Sequence, residues 1–132
     1  NEEVWQLYKH EGKVILLDFS TVWCGPCQWA GHYAQPLQDE YGDNFLFVTI
    51  LVDGATGEPP TKEEVDEWVL VHNITTSPVL YGDRTLLDQT GANGYRVGGF
   101  PTYVFLDKNL QIHVGTVGFN ELYIRSVIEE LL

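Results

Sequence analysis

The chain contains no methionine and only two cysteines in 132 residues, and its seven lysines and arginines face 19 aspartates and glutamates. Each scarcity excludes something. Two cysteines cannot staple a disulfide-dense miniprotein, nor supply an all-cysteine four-ligand zinc site. The formal charge is −12, with Lys9, Lys13, Lys62, Arg84, Arg96, Lys108 and Arg125 scattered rather than clustered. Such a chain repels phosphate backbones and anionic lipid surfaces, so no nucleic-acid partner is expected. No apolar run approaches the roughly 20 residues of a bilayer span. The opening Asn1-Glu2-Glu3 is not the basic segment of an export signal, and with the missing methionine it leads us to expect a processed or trimmed chain. What remains, 44% hydrophobic and 20% charged, suits one self-folding domain over 1–132.

Hydrophobic periodicity gives alternating strand and helix signals without internal repeats. Residues 13–19 form a short apolar run bounded by Gly12, the pattern of a strand buried on both faces; Asp18 is the anomaly within it. A second run, 45–52, follows the Gly42-Asp43-Asn44 turn, and the intervening segment is long enough for a right-handed crossover helix. Thr61 with Glu64 reads as a capping box for a helix to about His72, with Val65, Trp68, Val69 and His72 on one face. The run 79–81 is too short to assign, and Asp83 is placed to start a brief helix at Leu86-Leu87. Residues 102–106 and 111–115, joined by Asp107-Lys108-Asn109-Leu110, read as an antiparallel hairpin. Asn120 then caps a last helix whose Leu122, Ile124, Val127, Ile128 and Leu131 form an apolar face, with Phe119 and Ile124 as a hydrophobic staple. Trp23 and Trp29 are expected to be partly in the core, and Trp68 wholly so.

The chemistry concentrates in Trp23-Cys24-Gly25-Pro26-Cys27, where the first apolar run ends and the crossover helix begins. Cysteines two residues apart at a helix start can reach disulfide geometry, and the first sits among unpaired N–H groups at the positive end of the helix dipole. That environment lowers a thiol pKa from about 8.5 towards neutrality. Cys24 is therefore the expected nucleophile and Cys27, deeper in the helix, the thiol that resolves a mixed disulfide. A permanently closed structural disulfide is disfavoured, because so short a loop gains little from cross-linking. His10, His32, His72 and His113 show no ligand spacing that would complete a metal site. Asp18, if buried, would have its pKa raised towards neutrality.

These residues resemble the thioredoxin superfamily, and specifically its extracytoplasmic thiol-disulfide oxidoreductase branch related to TlpA and ResA. The likeness runs from Lys13 onward and rests on Trp23-Cys24-Gly25-Pro26-Cys27, on Leu17-Asp18-Phe19, and on Gly99-Phe100-Pro101-Thr102. It implies an α/β thioredoxin-like fold: a central mixed sheet flanked by helices, with a helix-containing insertion over about 54–91 before a cis-proline at Pro101. It also implies a catalytic set of Cys24, Cys27 and Asp18, the last giving acid/base help to Cys27. Trp23, Gly25, Pro26, Phe100 and Pro101 would form the substrate-binding surface. Gly25-Pro26 is the dipeptide of reducing thioredoxins, so reduction of protein disulfides by the dithiol is expected, with no metal and no cofactor beyond the Cys24–Cys27 disulfide. The implied partners are protein disulfides or dithiols and an upstream, membrane-bound thiol reductant. A monomer is expected, periplasmic or lipid-anchored outside the cytoplasm. Two departures stand out: no lysine occupies the strand segment 48–52 near Asp18, and Gln28 rather than a basic residue follows Cys27. The Cys24 thiolate would then lean on helix-end amides alone. The alternatives are a thioredoxin-like peptide-binding module without turnover, or a thiol peroxidase, against which the absence of Thr and Pro directly ahead of Cys24 argues.

Overall fold

A computed structural model describes residues 4–132; the Asn1-Glu2-Glu3 opening lies outside the described residues. Strands β1 (Val14–Thr21), β2 (Phe45–Asp53), β3 (Val79–Tyr81), β4 (Thr102–Leu106) and β5 (Ile112–Val117) form one sheet in the order β3-β2-β1-β4-β5. The first three run parallel, while β4 is antiparallel to β1, and β5 to β4. The chain reaches β2 from β1 through α1 (Gly25–Gly31) and α2 (Ala34–Tyr41), and α3 (Lys62–Val71) and α4 (Glu121–Leu131) complete the helices.

Every residue of β1, β2 and β4 is buried, which explains the continuous apolar runs in the sequence. One face of the sheet, including Val14, Leu16, Phe47, Leu51 and Phe105, packs beneath the helices against Leu37, Trp68, Ile124 and Ile128. The other face, including Ile15, Phe19, Val48 and Val104, is covered by Trp5, Leu7, Leu87, Tyr95 and Leu110 from turns and loops. The 54–91 segment thus does two things. It contributes α3 to the helical layer, and its Leu80 and Leu87 shield the reverse face.

The helix starts follow the sequence signals. Thr61 accepts from the Glu64 N–H while the Glu64 carboxylate accepts from the Thr61 N–H, an arrangement contributing about 1 kcal/mol. Asn120 accepts from the Tyr123 N–H at 3.0 Å. Asp83 caps a single 3-10 turn, Arg84–Leu86, which carries Leu86, while Leu87 lies just past it. The crossover is broken between α1 and α2 at His32 and Tyr33, three residues before Pro36. Pro36 sits in the first turn of α2, where a missing N–H costs nothing.

Two side chains depart from the expected apolar pattern. Leu122 is 82% exposed and takes no part in the core face of α4. Trp29 is 58% exposed, lying beside Tyr33 and Phe119 as a surface aromatic cluster rather than entering the core. Trp68 is buried as expected.

Candidate active site

Thr21 ends β1, and three residues later Cys24 becomes the N-cap of α1, with Pro26 in the helix's first turn where its ring fits without loss of a hydrogen bond. Cys24 and Cys27 are joined in a disulfide with Cα atoms 5.2 Å apart. The Cys27 N–H points at the Cys24 Sγ at 3.2 Å, the main-chain donor that a developing thiolate would use. Both sulfur-bearing residues are buried, Cys27 completely and Cys24 at 5% exposure. Cys24 is therefore reached through a narrow opening rather than displayed on the surface. Gly25 and Pro26 are exposed and form the outer face of that opening.

The segment before β4 comes against the cysteines. The Phe100–Pro101 peptide bond is cis, and the Phe100 carbonyl lies 3.5 Å from the Cys24 Sγ. Pro101 is buried and Phe100 half-buried. The Trp23 indole, half exposed, meets Phe100 edge-on with ring centroids 5.9 Å apart. The structure thus gathers Trp23, Cys24, Gly25, Pro26, Cys27, Phe100 and Pro101 at one end of the sheet.

Asp18 lies in the centre of β1 at 1% exposure, opposite Thr49 of β2 and Tyr103 of β4. Strand alternation puts it on the face of Val14 and Leu16, the face that packs against Cys27. Burial pushes its carboxyl up to about 7, opposed by the Ser20 hydroxyl that donates to it at 2.6 Å. No lysine stands beside it; its neighbours Thr49 and Tyr103 are hydroxyl-bearing, and the Tyr103 phenol is pushed up by its own burial and by the nearby carboxylate. A buried carboxyl that titrates at about 7 can hold or release a proton close to neutral pH.

A model of the thioredoxin-like domain family matches residues 2–125. The chain belongs to that family. The thioredoxin-like protein YneN of Bacillus subtilis is 30% identical over 116 residues, 85% of this chain and 62% of that protein. The thiol-disulfide oxidoreductase ResA of Oceanobacillus iheyensis is 31% identical over 110 residues, 81% of this chain and 50% of that protein. The chain spans about half to three-fifths of the length of these curated relatives. Among solved structures, the exposed lipoprotein thioredoxin of Streptococcus pneumoniae superposes with a TM-score of 0.74 at 25% identity, covering 96% of this chain and 91% of that one. A DsbF homologue from Corynebacterium diphtheriae gives 0.76 at 23% identity, covering 95% and 76%, and speaks to the fold.

This thioredoxin-like chain also holds residues around the cysteines that sequence reasoning missed. Asp53, buried at the end of β2, accepts from the Trp23 indole N–H at 2.9 Å and from Arg84 Nε and Nη2 at 3.0 and 2.6 Å. These donors, the Arg84 pair foremost, hold its carboxyl below the usual range against the opposing effect of burial. The Arg84 guanidinium in turn lies 5.7 Å from the Phe100 ring centroid, a cation–π contact of about 0.5–1 kcal/mol. The expectation that no positive charge stands near the cysteine mouth is thus corrected: the cation arrives from the 54–91 excursion rather than from the helix after Cys27. Asp53 carried a sequence signal, an acid closing an apolar strand; Arg84, 31 residues further on, carried none.

His72, at the end of α3, is the third residue whose role was missed. Its ring lies between the carbonyls of Trp68 and Gln28, 2.8 Å from each, and so ties α3 to the cysteine helix. The approach is close enough that a Cβ on Gly31 would come 2.7 Å from Nε2. Glycine is required there for space.

Proposed function

We propose that this chain is a thiol-disulfide oxidoreductase that reduces protein disulfides. The observation that carries the reading is the Cys24–Cys27 pair at the start of α1, facing the Phe100–Pro101 segment at 3.5 Å. In the dithiol form, the Cys24 thiolate attacks one sulfur of the substrate disulfide, forming a mixed disulfide and releasing the other substrate sulfur as thiolate. Cys27 loses its proton, with Asp18 as the acceptor, and attacks the Cys24 Sγ. The second substrate sulfur leaves, and the Cys24–Cys27 disulfide has taken up the oxidation state removed from the substrate. Trp23, Gly25, Pro26, Phe100 and Pro101 frame the opening where an extended substrate segment would lie, its backbone paired along Phe100. No further cofactor enters these steps; an upstream thiol reductant must return the pair to the dithiol.

We place the chain outside the cytoplasm as a monomer. The support is the likeness to a solved structure described as an exposed lipoprotein thioredoxin; a membrane-bound reductant is consistent with that location.

The test is reduction of insulin disulfides by the dithiol form, with the Cys24→Ser and Cys27→Ser variants. Loss of activity in Cys24→Ser and accumulation of a mixed disulfide in Cys27→Ser are expected. Binding without turnover would favour the peptide-binding module. Rapid consumption of hydrogen peroxide, with a sulfenic acid on Cys24, would favour the peroxidase.

A further inference from the structure

We infer that Arg84 gives the site a preference for polypeptide disulfides that carry a carboxylate beside the attacked cysteine. This rests on the oxidoreductase reading and names the substrate class for the same opening.

Four residues from four separate segments close a ring around one side of the mouth: Trp23 to Asp53, Asp53 to Arg84, Arg84 to Phe100, and Phe100 back to Trp23. The guanidinium is fixed by its Nε and Nη2 bonds to a carboxylate that is itself buried, so it cannot swing away. Its remaining nitrogen, Nη1, makes no hydrogen bond among the described residues, and the side chain is 59% exposed. Arg84 also lines a cleft of about 400 Å³ with Leu87, Gln89, Gly98, Gly99 and Phe100. That cleft adjoins the Phe100–Pro101 segment, so a substrate chain crossing the cysteine mouth would direct a side chain into it. Its lining mixes glycine and apolar carbon with the Gln89 amide, and its one charged donor is the Arg84 guanidinium.

The rest of the molecule sharpens the choice of partner. In a chain of net charge −12, a basic substrate is attracted everywhere and gains nothing particular here. Lys62, Arg96, Lys108 and Arg125 are engaged with Asp66, the Thr90 carbonyl, the Leu132 carbonyl and the Glu40–Glu121 pair. Arg84 is the cation aimed at the mouth, and a carboxylate is the group whose planar pair of oxygens best matches a guanidinium edge. Long-range repulsion from the acidic surface opposes acidic substrates, so the preference is local. It requires the carboxylate to be adjacent to the cysteine, and an acid several residues away should be a disadvantage.

The experiment compares disulfide peptides identical except for Glu, Gln or Lys next to the attacked cysteine, reading kcat/KM with the dithiol form of the whole chain and of Arg84→Gln. Wild type is expected to favour the Glu peptide over the Gln peptide by about three- to fivefold, the size of a partly exposed charge pair, and 1 M salt should erase the difference. Arg84→Gln should bring the Glu-to-Gln ratio to about one. Loosening of Trp23 through Asp53 would slow both peptides alike and leave the ratio unchanged, so the ratio separates recognition from structural support. Equal wild-type rates on Glu and Gln peptides, or a ratio preserved in Arg84→Gln, would overturn the preference while leaving the oxidoreductase reading standing. No turnover of any peptide would overturn both.

Discussion

Replacing Asp18 by asparagine should make the protein more stable, and by an amount that depends on pH in a defined direction. The carboxyl is fully buried in β1, and its pKa lies at about 7 against 3.8 for an ordinary aspartate. Below pH 4, Asp18 is protonated in both folded and unfolded chains, and asparagine is a near-isosteric replacement. Between pH 4 and 7 the unfolded chain gives up the proton while the folded chain keeps it, so unfolding of the wild type becomes easier as pH rises. Above pH 7 the folded chain carries a buried carboxylate and the loss levels off. At about 1.4 kcal/mol per pH unit the full displacement corresponds to roughly 4 kcal/mol. Relaxation around the charge and the altered Ser20 hydrogen bond reduce this, and a gain of about 2–4 kcal/mol for Asp18→Asn at pH 8.5 is the expected order. The assay is urea unfolding of the oxidised wild type and variant between pH 4.5 and 8.5, compared at each pH so that the other carboxylates cancel. A stability difference that is flat across this range, or one that shrinks as pH rises, would refute the reasoning. The same substitution should slow resolution of the mixed disulfide by Cys27 more than its formation by Cys24.

Two further outcomes test the ties that α1 and α2 make to distant segments. Gly31→Ala should destabilise the wild type by about 1–3 kcal/mol, because the new methyl meets the His72 ring; in a His72→Ala background the same change should be neutral or stabilising, a coupling that a double-mutant cycle under thermal or urea unfolding measures directly. Gln35 is buried, and its carbonyl oxygen accepts from the N–H groups of Thr75, Thr76 and Ser77 at 2.9, 2.9 and 3.0 Å. Gln35→Ala should therefore cost about 2–4 kcal/mol and raise amide hydrogen exchange in residues 75–77 before any other loop.

The parts of the fold readable from the chain are those where one residue type has one physical use. Apolar runs over 13–19 and 45–52 had nowhere to go but the middle of the sheet, and Thr61-Glu64 and Asn120 announce helix starts through hydrogen bonds that few other residues make. The cysteine motif was legible because its chemistry is local, and Pro101 because the Gly99-Phe100-Pro101-Thr102 segment resembles that of the thioredoxin superfamily. The rest depended on contacts between distant segments. β3 is three residues of an edge strand, too short for any periodicity, and exists because β2 offers it an open edge. Leu122 fits the apolar spacing of α4 yet is 82% exposed, because no core contact reaches that side of the helix among the described residues. The Asp53–Arg84 pair and the His72 tie link segments 31 and 44 residues apart, and no pattern along the chain encodes such a meeting. Pro36 misdirects in the opposite sense: a proline within a crossover suggests the kink, yet the break precedes it.

The dependence of Asp53 on Arg84 bears on how such domains gain and lose their excursions. A trimmed descendant lacking residues 54–91 would keep an acid at the foot of the tryptophan with a single indole hydrogen to share its charge. Deletion of the loop and replacement of that acid must therefore travel together, whether by mutation over generations or in a designer's shortened scaffold, and a transplant of the loop onto a plainer relative needs both halves of the pair.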